Sequence, residues 1–104
     1  MVKVKRTSNA DKLEDVVRTL CEEFNFRLYI SGWARRTFDI FTHEKKLTMA
    51  EHVARIESIS ATNGEIYCYD HRATKFSEKL ASILEKDMGV EEAIIIHDKR
   101  PNEP

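Results

Sequence analysis

Apolar positions in this chain follow two rhythms, one of period two and one of three to four. The two ends run through them in the same order. Near each end a strand-like run leads into an amphipathic helix. The helix stops at a residue that tolerates the left-handed conformation, and a second strand follows. The first copy comprises residues 2–6, 11–24, Asn25 and 26–31, and the second 65–70, 74–88, Gly89 and 92–97. A shift of 64 positions lays Val2 and Val4 on Ile66 and Cys68, Val16 and Leu20 on Leu80 and Leu84, and Asn25 on Gly89.

The local signals agree with this division. Val2-Lys3-Val4-Lys5 alternates apolar and charged, as a strand does with one face in a core and the other in water. Ser8 or Asn9 is placed to cap the first helix. Its stripe of Leu13, Val16, Val17, Leu20 and Phe24 recurs at three and four residues, with Asp15, Arg18 and Glu22 opposite. Thr74 is the expected cap of the second helix, whose stripe is Phe76, Leu80, Ile83, Leu84 and Met88. Gly89 ends it. Ala93-Ile94-Ile95-Ile96 is apolar on both faces, which suits a strand covered on both sides.

Between the copies, residues 37–42 (TFDIFT) alternate again, and 32–36 (GWARR) form the connection of a hairpin with 26–31. Thr48-Met49-Ala50-Glu51 has the form of a capping box. It predicts a short helix over 49–57 with Met49, Val53 and Ile56 inward. The competing reading is a strand through 55–60, hairpinned onto 65–70 across Asn63-Gly64.

A strand–helix–strand unit crosses over right-handedly and brings its strands out parallel. Two in tandem either interleave, with both helices on one face, or form a parallel sheet with helices on both. In the second arrangement Lys3 and Lys5 would be buried, and an unpaired buried ammonium is very costly. The expected fold class is therefore α+β. The specific expectation is a two-layer sandwich on the ferredoxin-like split βαβ plan, with an inserted hairpin/helix segment (33–61) between the halves. Residues 1–98 form one domain and 99–104 a flexible tail.

Composition narrows the partners. The chain has 104 residues, a formal net charge of −1 and 41% hydrophobic residues, so no global basic field holds phosphate backbones. No apolar run approaches a membrane span, and Lys3, Lys5 and Arg6 interrupt anything resembling a leader. The expectation is a cytoplasmic protein without a membrane role. Cys21 and Cys68 lie in apolar patterns, without metal-site or redox-motif spacing, and are expected as buried free thiols.

Three groups of residues carry chemistry. Tyr67 and Tyr69, two apart on a strand, share the face opposite the helices with Lys3 and Lys5. Rings flanked by ammonium groups suit the stacking of single-stranded RNA bases, or packing in a dimer. Trp33 beside Arg35 and Arg36, in a loop, has the composition of a binding hot spot. Asp70, His71 and Arg72 end one strand and His97 another, an anion- or metal-site composition at one edge of the sheet. His43 and His52 stand at element margins and receive no role. No nucleophile–base pair is evident, so no catalytic residue and no cofactor are assigned. The reading that follows is a non-enzymatic binding or protein-interaction module that self-associates as a homo-oligomer. The alternatives are a single-stranded RNA-binding domain using the open face, and a small anion- or metal-binding protein or enzyme at Asp70, His71 and His97.

Overall fold

The computed structural model describes residues 9–43, 51–57 and 59–98. Their order is α1 (Asn9–Phe24), β1 (Phe26–Ser31), β2 (Thr37–Thr42), β3 (His52–Glu57), β4 (Asn63–Cys68), α2 (Thr74–Lys86) and β5 (Glu92–His97). The strands form one mixed sheet in sequence order. β1 to β4 are an antiparallel meander, and β5 returns through α2 to lie parallel to β4.

Both helices cover the same side of the sheet. The stripe of α1 (Leu13, Val17, Leu20, Cys21) and that of α2 (Phe76, Leu80, Leu84) enter one cluster with Phe38, Ile40, Ile56, Ile66 and Cys68. Phe24 at the end of α1 meets Phe76 edge-on at 5.8 Å. Lys79 Nζ reaches the Glu23 carboxylate at 2.7 Å across the helix pair. Asn25 (φ 60°) and Gly89 (φ 71°) stop the two helices in the left-handed region, as their residue types allow.

The crossover expected of the second copy is present as β4–α2–β5, with parallel strands. The fold is α+β, with a five-stranded mixed sheet and two helices. The ferredoxin-like interleaving is not seen among the described strands. That plan needs the opening strand between the two strands of the second unit. Here β4 and β5 pair directly, from Asn63↔Glu92 to Cys68↔His97. The opening strand (2–6), with Lys3 and Lys5, lies outside the described residues. So do Ser8, Thr48, Met49 and the tail. Residues 33–61 are no appendage, for they supply β2 and β3, which join β1 to β4. The five-residue links from β1 to β2 and from β3 to β4 cost little loop entropy, and this favours neighbouring pairing of those strands.

Of the helix expected over 49–57, residues 52–57 form β3 instead, and Met49 and Ala50 lie outside the described residues. Val53, Ile56 and the polar Arg55 and Glu57 fit a strand flanked on both sides, and pairing with β2 and β4 overrides the capping-box signal. The competing strand reading had the right neighbour but the wrong turn. The chain reverses before Asn63, with Ser60 N donating to Asn63 O at 2.9 Å, and Asn63-Gly64 opens β4. A Cβ on buried Gly64 would stand 3.1 Å from Ile59 Cδ1 and 3.4 Å from Leu84 Cδ1, so glycine here serves close packing.

α2 also starts differently from expectation. Thr74 is its first residue and makes no side-chain cap. A 3-10 turn (His71–Ala73) precedes it, and Asp70 caps that turn by accepting from Arg72 N.

Phe76 is fully buried where the two helices meet the sheet. Phe76→Ala is therefore expected to lower unfolding free energy by about 3–5 kcal/mol in urea titrations. Glu65→Ala, on an exposed site, is expected to stay within about 0.5 kcal/mol. Equal costs at the two positions would contradict the placement of the core.

Candidate functional site

Strand alternation leaves every second residue on the side away from the helices. Register places three rows there. One runs Ser31, Thr37, Glu57, Glu65, Ile94, and the next Tyr29, Asp39, Arg55, Tyr67, Ile96. The third contains Arg27, Phe41 and His52, with Tyr69 beyond.

A bulge builds that third row. Ile40 pairs with Ala54 but Phe41 pairs with His52, so Val53 is the extra residue of β3. Without it His52 would share the helix-facing side of Ala54. With it, Val53 and Ala54 both enter the core and His52 turns to the other face.

Rings then run across four strands. Tyr29 meets Phe41 at 5.4 Å, Phe41 stacks on His52 at 4.6 Å, His52 meets Tyr69 at 5.0 Å, and Tyr69 lies 6.5 Å from Tyr67. His52 is only 4% exposed although, among the described residues, no helix covers it. Its Nε2 is 2.9 Å from Asp39 Oδ1, and Arg55 Nε is 3.5 Å from the same oxygen. The ring band and the Asp39 carboxylate thus close the middle of the face. At its β5 side the face changes character, for Ile94 is 41% exposed beside Ile96.

Tyr67 and Tyr69 are where the sequence placed them, opposite the helices and side by side. Tyr67 Oη donates to Glu65 Oε2 at 2.9 Å, a bond that pushes the phenol above its ordinary value. Burial does the same to Tyr69. Asp39, Glu57 and Glu65 stand on the same face, so among the described residues carboxylates outnumber Arg27 and Arg55 there.

Asp70, His71 and His97 do come together. Parallel pairing of β4 and β5 brings them to one shallow depression with Cys68, Tyr69, Thr74 and Asp98. Asp70 is held by its neighbour. Arg72 Nε and Nη2 donate to its two oxygens at 2.9 Å each, and Arg72 N adds a third bond. The Arg72 guanidinium holds the Asp70 carboxyl well below the usual range. Arg72 also reaches Glu51 Oε2 at 3.3 Å, and Thr42 Oγ1 donates to that same oxygen. His71 is 93% exposed, with Nδ1 3.4 Å from Asp70 Oδ1. Among the described residues no three His, Cys, Asp or Glu side chains gather to hold a metal ion. The Asp70–Arg72 fork ties the end of β4 to the approach to α2.

Trp33, Arg35 and Arg36 lie at the opposite end, in the β1–β2 connection. Trp33 is 90% exposed. Arg35 has φ 54°, an unusual value for a non-glycine residue, and its Nε is 3.4 Å from Glu14 Oε1. Arg18 and, after it, Arg35 hold Glu14 below the ordinary carboxylate range.

Both cysteines are buried and free, and burial pushes the Cys21 thiol up to about 12. Residues that sequence reasoning passed over are Asp39, Phe41, Arg55 and His52. Asp39 and Phe41 were legible as the outward positions of an alternating strand. Arg55 and His52 were not, because 49–57 carries a local helix signal and the face of His52 depends on the bulge. Comparison with protein-family models, curated proteins and solved structures finds no match to this chain.

A carboxyl depressed by folding adds stability above its unfolded value, about 3.9, and loses it as pH falls toward the folded value. Asp70→Asn keeps a capping oxygen but removes the charge. Acid titration of stability is expected to show a steeper loss below about pH 4 in the parent than in the variant. Superimposable acid limbs would contradict the Asp70–Arg72 pair.

Proposed function

We propose that this protein is a small non-enzymatic interaction module that self-associates through β5 and the sheet face beside it. The observation that carries this reading is Ile94, a large apolar side chain 41% exposed on β5, one of the two edge strands of the described sheet. Ile96 and Tyr67 continue the patch along one row of the face. Charged or proline residues commonly protect an edge strand, whereas the middle of β5 reads Ala93-Ile94-Ile95-Ile96.

A second copy suits this strand. In an antiparallel two-fold pairing centred on Ile94, the two Ile94 side chains meet on the open face. Glu91 and His97 then face each other on the helix side, opposite in charge when the imidazole is protonated. The rest of the face supports a closed surface more than a reactive one. Its rings pack on one another and its cations are shared with carboxylates.

The single-stranded RNA reading draws support from the adjacent Tyr67 and Tyr69. Asp39, Glu57 and Glu65 on the same face weigh against a polyphosphate there.

Light scattering over a concentration series tests self-association. The expected result is a mass that rises from monomer to dimer, with Ile94→Lys remaining monomeric and equally stable. A parent protein that stays monomeric throughout would overturn the reading. Salt-dependent RNA binding abolished by Tyr67→Ala would replace it with the RNA alternative.

A further inference from the structure

The end of the molecule that carries the β1–β2 connection also holds a cavity of about 300 Å³. Four segments meet there: the first turns of α1, the β1–β2 connection, the β3–β4 loop and the link from α2 to β5. Its walls are Leu13, Phe38, Ile59, Met88 and Val90. Ile59 stays in place because Gly64 beneath it carries no side chain. The loop above is tied down, since Glu91 N donates to Ala61 O at 3.0 Å.

The mouth is cationic. Arg35 and Arg36 both line it, but they are not equivalent. Arg35 is engaged by Glu14, which Arg18 also contacts at 3.0 Å. Arg36 has no carboxylate partner among the described residues. Trp33 and Arg36 border an adjoining depression with Thr37, Ile59 and Ser60, so an exposed indole stands beside the Arg36 guanidinium. The connection that presents these side chains uses the left-handed region twice, at Gly32 (φ 82°) and at Arg35 (φ 54°). Such backbone is held by its surroundings and tends to occur where side chains must be aimed.

We propose that this cavity binds a small anion with an apolar body, its headgroup on Arg36 and its hydrocarbon against Leu13, Phe38, Ile59, Met88 and Val90. An apolar lining with one placed charge is the usual make-up of a ligand site, and 300 Å³ lies at the small end of their range. A guanidinium recognises carboxylate and phosphate alike through paired donors, so the headgroup belongs to either class. The site lies away from the β5 patch, at the other side of the sheet, and stands or falls separately from self-association.

Trp33 is the only tryptophan and borders the depression adjoining the mouth, so its fluorescence reports on that neighbourhood. Octanoate and octyl phosphate serve as probes for the two headgroups, with octylammonium as the control of opposite charge. The expected result is saturable one-to-one binding of at least one anion, seen by Trp33 fluorescence and by calorimetry, with octylammonium inert. Arg36→Ala is expected to weaken that binding roughly tenfold or more, as loss of a charge-assisted hydrogen bond does. Ala61→Phe, at an exposed rim position, is expected to obstruct entry and weaken it as well. Which probe binds more tightly assigns the headgroup. No saturable binding of either anion at about 10 mM, equal binding of octylammonium, or variants that bind as the parent does would overturn the proposal.

Discussion

The structure depends on two amphipathic helices burying their stripes against the same side of one sheet. A strand offers only alternate residues to either side. Once Phe38, Ile40, Ile56, Ile66 and Cys68 are committed to the helices, the intervening residues have to face away from them. Everything of functional interest on the sheet follows from that division. The outward set is neither uniformly polar nor uniformly apolar. It is a ring band over β1 to β4, a carboxylate–guanidinium row beside it, and an isoleucine pair on β5.

Much of this was legible in the chain. α1, β1, β2, α2 and β5 stand close to where the sequence placed them, because α1, β2 and α2 carry a clear period, β1 and β5 are runs of strand formers, and Asn25, Gly32 and Gly89 punctuate them. The middle was harder. Thr48-Met49-Ala50-Glu51 is a local helix signal, and local signals cannot register that β3 is held on both edges by neighbours. The split βαβ plan is not seen among the described strands for a related reason. The expected insertion, 33–61, supplies β2 and β3, two strands of the sheet itself. The bulge at Val53 left no sequence mark, so the face of His52 appeared only in three dimensions.

The candidate residues divide by what holds them. Asp70 and Arg72 satisfy each other and serve the junction of β4 with α2. His52 is enclosed by Phe41, Tyr69 and Asp39, an arrangement suited to fixing the face rather than to reacting with a solute. The Ile94–Ile96 patch and the mouth at Arg36 are candidate places where apolar or cationic groups lack such closure among the described residues. They lie on different parts of the fold and suit different partners, a protein surface and a small anion.

One-sided coverage of the sheet can be measured directly by exposing the dilute protein to a soluble paramagnetic gadolinium chelate and following side-chain signals by NMR. The account predicts strong attenuation at Tyr67, Ile94 and Ile96 and little at Ile40, Ile56, Ile66 and Leu80. Comparable attenuation of Ile66 and Ile94, neighbours on adjoining strands that point to opposite sides, would contradict it.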